Sequence, residues 1–344
     1  MIGVPGADAE PSELLGKRIS ELGLRLHGTP LEQLVDRLYD ELRARGLAFL
    51  PPVYLSDEWG CPDGTPIIAA PFYLADARLM RIEEERAAGI ESALESMRYL
   101  RHEAGHAYNY AYRLYDQPEW RRLFGPYSRP YRERYHADPF SRSHVRHILG
   151  WYAQKHPDED FAETFAVWLT PDLDWRDTYH GWPVLAKLEY VDRLMAGIAC
   201  EPPIVSAQVT PEDLPVQAMH FTVEEHYRQL ERRLPIDEPR FFDGDLLTIF
   251  ERKGDGDGDG EGQARKFLLA HRRELVARIG YWSGEGPSVV GAFVDFLAHR
   301  ADELGLVLRA REAATLIELT AFGTAVMMNY RYTDTLTSGR GDAP

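Results

Sequence analysis

The chain has 344 residues, 44% of them hydrophobic and 27% charged, an ordinary globular composition with length for two or three structural units. Its formal charge of −16 argues against broad binding to nucleic acid or an anionic membrane, since those surfaces repel it before contact forms. No stretch approaches the roughly 18 uninterrupted apolar residues of a membrane helix, and the start Met1-Ile-Gly-Val-Pro-Gly lacks a cationic region followed by an apolar one, so a soluble, cytoplasmic protein is expected.

Residues 1–15, rich in small residues, Pro and acids, read as a flexible arm before a catalytic region at 16–200. Apolar spacing at Leu31, Leu34, Val35, Leu38 and Leu42 predicts a helix over 31–45. The apolar runs 47–55 and 66–74, separated by a turn-rich segment, predict strands, and Pro71 removes a ladder donor, placing the second at a sheet edge. A Pro-free segment over about 87–115 carries Ile90, Ala93, Leu94, Met97, Leu100, Ala104, Tyr108 and Ala111 as one buried helical stripe. At about 100° per residue, His102, Glu103 and His106 project from a different side, which gives this helix a packing face and a chemical face.

Residues 121–155 read as irregular, aromatic and basic, with Arg121, Arg122, Arg129, Arg132, Arg134, Arg142, Arg146 and Lys155 against Glu133 and Asp138. Lying between the two chemical motifs, this segment is expected to line the cleft and favour acidic side chains or a substrate carboxylate. A second helix is predicted over 157–169, with Pro157 in its first turn and Asp158, Glu159 and Asp160 at its positive end. Residues 201–253 read as a connecting helical segment with a helix near 211–234, residues 254–262 as a Gly/Asp linker, and 263–335 as a C-terminal helical region with segments near 264–280, 287–304 and 310–330. The linker imitates the opening of a calcium loop, but Lys266 stands where a bidentate Glu is required, so a disordered acidic linker is expected.

His102-Glu-Ala-Gly-His106 sets two imidazoles at i and i+4, so both reach one ion from consecutive turns, with Glu103 beside them to take a proton from bound water. Cys61 and Cys200, far apart, indicate neither a disulfide framework nor a cysteine zinc site and suit a reducing compartment. A catalytic zinc needs a third protein ligand. A third histidine from the same segment is excluded, because Asn109 and Tyr112 occupy the positions of a Gly-x-x-His extension. The better candidate is 157–166, where Glu159 and Glu163 stand four residues apart on one face. Two like charges there destabilise a helix by about 0.2–0.5 kcal/mol, and a cation removes that repulsion. With Glu159 as ligand, Glu163 can accept the free ring N–H of one histidine and fix its tautomer. His144, His147 and His156 read as surface or structural residues, with an alternative ligand or transition-state donor among them as the second reading.

On these two motifs the chain resembles the gluzincin metallopeptidases, in which a His-Glu-x-x-His helix is followed by a helix carrying Glu-x-x-x-Asp or Glu-x-x-x-Glu. The resemblance spans about residues 90–170, and Glu159-Asp-Phe-Ala-Glu-Thr-Phe165 is similar to the second helix of the anthrax lethal factor peptidase domain and of bacterial zinc-binding metallopeptidases of unassigned substrate. It implies an α+β fold: a zincin-like catalytic domain with a small sheet and an active-site helix, followed by a mostly α-helical C-terminal region. It implies Zn2+ held by His102, His106 and Glu159, with Glu163 behind a histidine. It also implies that Tyr152, at the matching distance before the ligand glutamate, donates to the developing oxyanion.

The expected activity is therefore metal-assisted hydrolysis of a peptide or protein substrate, with Glu103 as general base, zinc and Tyr152 stabilising the oxyanion, and no further cofactor. An extended substrate is expected to add to the edge strand near 67–73. Two alternatives stand beside this reading: a zinc-stabilised interaction module without catalysis, and a zinc amidase acting on a non-peptide amide.

Overall fold

Leu14, Leu38 and Leu100 belong to one side of a division that no single sequence motif announces: the contacts of the chain fall into two units, Met1–Ile82 with Glu91–His226, and Glu83–Ile90 with Tyr227–Pro344. The computed structural model describes residues 12–86, 90–132, 135–230, 240–252, 263–333 and 335–336. The chain is α+β, with two small sheets and a helical C-terminal region.

In the first unit the last four residues of the expected arm form a helical turn, α1 (Ser12–Leu15), in which Leu14 is buried. Residues 1–11 lie outside the described residues. Helix α2 (Pro30–Ala44) covers the expected span: Thr29 accepts the amide of Glu32, Pro30 opens the first turn, and Leu31, Val35, Leu38 and Leu42 turn inward.

The two apolar runs yield shorter strands, β1 (Val53–Ser56) and β2 (Ile68–Pro71), paired in parallel with Val53 opposite Ile68 and Ser56 opposite Pro71. Pro71 closes β2, where a missing donor interrupts no ladder. The connection turns back so that Gly60 and Ala69 exchange backbone hydrogen bonds at 3.3 and 2.7 Å on the side of β2 away from β1. Ile67, Ile68, Ala69, Ala70 and Phe72 are all buried. This corrects the expectation of substrate addition along 67–73, because the outward backbone groups of Ala69 already have partners and the strand lies inside.

Helix α3 (Ala77–Arg86) has no counterpart among the elements expected from the sequence. Helix α4 (Ala93–Ala111) begins later than the Pro-free run, because Ser92 and Glu95 form a reciprocal cap in which each side chain accepts the other's backbone amide. Residues 87–89 lie outside the described residues. Leu94, expected in the buried stripe, is 62% exposed in the first turn. From Leu100 to Ala111 every residue is buried, so the helix has no solvent-facing chemical side.

The cover on that side is α6. Helix α5 (Pro118–Phe124) occupies the start of the segment expected to be irregular, and α6 (Pro157–Leu169) follows with the expected bounds and all 13 of its residues buried. A Cβ on Gly105 would lie 2.7 Å from the Cα and 2.9 Å from the carbonyl oxygen of Ala162, so glycine is what lets the two helices approach this closely. Phe161, Phe165 and Trp168 fill the same core, joined by Leu188 and Val191 of α8 (Leu185–Ile198), which follows the short α7 (Trp175–Thr178). A bidentate ion pair of Arg101 with Glu41, at 2.6 and 2.7 Å and buried on both sides, ties α4 to α2. Of the helix expected near 211–234, only α9 (Val223–Leu230) is α-helical among the described residues.

The second unit contains α10 (Asp243–Ile249), β3 (Phe250–Arg252), α11 (Gln263–Ala270), α12 (Arg272–Ser283), α13 (Pro287–Glu303), β4 (Leu306–Leu308) and α14 (Glu312–Thr333). Strands β3 and β4 pair antiparallel, and Phe242, Leu246, Phe250, Leu268, Phe293, Leu319 and Met327 lie in its core. The single segment expected near 264–280 is two helices, parted at His271. The expected Gly/Asp linker at 254–262 lies outside the described residues. No helix among the described residues is long and apolar enough to cross a membrane.

Replacing Gly105 by Ala should force α4 and α6 apart and destabilise the first unit by about 1–3 kcal/mol, as overpacking does. A chemical denaturation midpoint equal to that of the parent protein would show that the close approach is not constrained.

Candidate metal centre

The i, i+4 spacing on α4 and the first turn of α6 bring three acceptor atoms to one point. His102 Nε2 and His106 Nε2 are 3.1 Å apart, and Glu159 Oε2 lies 3.0 Å from the first and 3.1 Å from the second. All three residues are buried and together form a group that can hold a metal ion.

Each imidazole is fixed from behind by its own carboxylate of α6. His102 Nδ1 donates to Glu163 Oε1 at 2.9 Å, and the other oxygen of Glu163 accepts the backbone N–H of Ile148, also at 2.9 Å. His106 Nδ1 lies 3.1 Å from Asp158 Oδ2, at ion-pair distance but off the line of a straight hydrogen bond. Asp158 is held in turn by Asn109 Nδ2 and the Tyr110 hydroxyl, each donating at 2.6 Å. With both Nδ1 atoms turned to carboxylates, both Nε2 atoms face Glu159 Oε2 and each other.

Three such acceptors this close require a proton or a cation among them. In a tetrahedral zinc site with bonds of about 2.0–2.1 Å, ligand atoms stand about 3.3 Å apart, so this set needs to open by only a few tenths of an ångström. The donor chemistry, two neutral imidazoles and one carboxylate, also suits zinc.

The electrostatics of the group favour holding positive charge at this point. Burial disfavours charge on His102, but hydrogen bonds with Glu159 and Glu163 outweigh it and raise its pKa to about 9. Burial likewise opposes charge on His106, and Asp158 and Glu159 push it well above the usual value. Burial would raise Glu159, yet the two imidazoles hold it well below the ordinary carboxylate range. Metal uptake must therefore displace protons.

Glu103 lies beside this group, 6% exposed, and no described residue hydrogen-bonds its carboxylate. Burial pushes its pKa up, with His102 and His106 opposing. Tyr152 stands in a single helical turn, its ring 5.6 Å from that of His102, and burial with the charge of Glu159 keeps its phenol protonated. The other histidines are engaged elsewhere. His147 Nε2 donates to the Arg98 carbonyl, His156 caps α6 through Nδ1 while Nε2 donates to the Arg129 carbonyl, and His144 bonds Ser141.

Asp158, Asn109, Tyr110 and Tyr131 were not singled out by the sequence as parts of this arrangement. Tyr131 donates to Glu159 Oε1 at 2.5 Å. From the basic segment, Lys155 reaches the site, 3.5 Å from the Tyr152 hydroxyl. Arg121 and Arg122 instead pair with Asp116 and Glu119, and Arg142 and Arg146 lie over the Trp182 ring. Arg132 is exposed, and Arg134 lies outside the described residues.

Residues 74–194, which include both ligand-bearing helices, match the model of a family described as "putative zinc-binding metallo-peptidase". No curated protein and no solved structure matches the chain. The first unit thus carries a buried His-His-Glu group inside a stretch similar to zinc-binding metallopeptidases.

Removing Asp158 should free the His106 ring while leaving all three ligand residues in place, so Asp158→Ala should weaken zinc binding roughly 10- to 100-fold. Competition with a chromogenic chelator measures it, and an unchanged affinity would deny Asp158 any part in orienting His106. Zinc uptake at pH 7 should also release protons, read as a dependence of the calorimetric heat on the buffer's ionisation enthalpy.

Proposed function

We propose that the protein is a zinc-dependent hydrolase that cuts peptide bonds, with His102, His106 and Glu159 as the metal ligands. The observation that carries this reading is the convergence of three acceptor atoms beside a buried carboxylate, Glu103, that no described residue hydrogen-bonds. A three-residue ligand set suits a catalytic zinc, which keeps a position open, and the family match supports a peptide as the substrate class.

Zinc, when bound, supplies a Lewis acid that lowers the pKa of water and polarises a carbonyl. Glu103, whose pKa burial pushes up, takes the proton of the attacking water and returns it to the leaving amine. Tyr152 donates its phenolic hydrogen to the oxyanion as charge develops there. Glu163 and Asp158 hold the two imidazoles in the tautomer that offers Nε2. Among the described residues Cys61 and Cys200 are both free thiols, which supports a reducing, cytoplasmic location.

The substitutions separate these roles. Glu103→Gln should abolish cleavage of a peptide library while zinc stays bound, Glu159→Ala should lose tight zinc binding, and Glu163→Ala should cost roughly 10- to 100-fold in affinity or activity. If Glu163→Ala lost the metal completely while Glu159→Ala kept it, the ligand assignment would be reversed. Cleavage by Glu103→Gln at the parental rate would remove Glu103 from the chemistry.

A further inference from the structure

Glu159 has two oxygens, and they face different partners. Oε2 lies 3.0 and 3.1 Å from the two imidazole Nε2 atoms, while Oε1 accepts the hydroxyl of Tyr131 at 2.5 Å. A carboxylate ligates through one oxygen or through both, and a donor fixed on one oxygen favours the first mode.

We infer that Tyr131 is a positioning residue that restricts Glu159 to a single ligating oxygen and so keeps one coordination position open for substrate. The inference rests on the proposed metal reading of His102, His106 and Glu159. Tyr131 is 49% exposed, so burial of its ring does not by itself account for where its hydroxyl sits. The ring is held from two sides: Lys155 Nζ stands 4.3 Å from its centroid and 5.1 Å from that of Tyr152, and the His156 ring packs at 5.4 Å. Since His156 caps α6 and Lys155 precedes it, the elements that fix Tyr131 are those that place Glu159. The Tyr131 hydroxyl is also 3.3 Å from that of Tyr152, so one phenol links the third ligand to the proposed oxyanion donor.

If Tyr131 served only to pack an aromatic ring over the site, phenylalanine would replace it without consequence. The test is cobalt substitution of the full chain, because four-coordinate Co2+ absorbs visible light more strongly than five-coordinate Co2+. Tyr131→Phe, which removes one oxygen from a half-exposed ring, should lose visible intensity as Glu159 closes onto the metal with both oxygens. Its kcat on a peptide substrate should fall roughly 10- to 100-fold with KM changed little. Tyr152→Phe should lower kcat while leaving the cobalt spectrum as in the parent, since Tyr152 does not bond to Glu159. A parental spectrum in Tyr131→Phe overturns the inference and leaves the proposed hydrolase standing. Cobalt uptake without cleavage by the parent protein overturns the hydrolase reading instead, and the spectral comparison still decides the role of Tyr131.

Discussion

Two imidazoles and three carboxylates, from His102, His106, Asp158, Glu159 and Glu163, are buried in one contact between α4 and α6. Removing so many ionisable groups from water is strongly unfavourable unless each finds a partner of opposite character. The arrangement meets that condition from outside inward: Asn109 and Tyr110 hold Asp158, the Ile148 amide holds Glu163, and Tyr131 holds the outer oxygen of Glu159. What remains is the central point among two Nε2 atoms and Glu159 Oε2, where the pairing is left to a proton or a cation. The close approach allowed by Gly105 produces that point, because a wider separation of the helices would carry α6's carboxylates away from the rings.

Much of this was legible in the chain before its fold. The i, i+4 histidines, the glutamate beside them and the bounds of α6 follow from local spacing, since helical geometry alone places such residues on shared faces. Glu163 was also recoverable, because four residues after Glu159 is one turn along the same face. Asp158 was not: beside Glu159 at the positive end of a helix, an acidic residue has a sufficient local reason to be there, and its second use depends on where Tyr110 and Asn109 arrive. Tyr131 lies 28 residues before Glu159 in a segment without regular structure, so no periodicity connects the two.

A stripe of apolar residues on α4 implied one packing face beside a chemical face, but α6 packs on the chemical face too, and a helix covered on both sides loses the amphipathic contrast on which the pattern depends. Leu94 fitted the stripe and yet is exposed, because the cap at Ser92 makes it the second residue of the helix, ahead of the part that packs. Pro71 lies in the outer strand of a two-stranded sheet. The outer edge of that strand is closed by a return of the same chain at Gly60, a pairing set by the loop and not by the strand.

The four acids of α6 show how one local sequence is divided by tertiary contacts. Asp158 turns to His106, Glu159 to both rings, and Glu163 to His102, whereas Asp160 meets Lys187 of α8 at 2.6 Å. Burial raises Asp160 to about 7 against the opposing pull of Lys187, so this pair is a costly one to keep dry and calls for further bonding. Lys187 finds it in the Ser143 carbonyl at 2.7 Å, five residues before the Ile148 amide that donates to Glu163. The segment running past the site is therefore attached to α6 at two places, one through the Lys187–Asp160 ion pair and one through the carboxylate behind His102. The short stretch from Ser143 to Ile148 thus bonds at one end to the lysine of α8 that pairs with Asp160 and at the other to the carboxylate behind His102, so three elements meet around two acids of one helix.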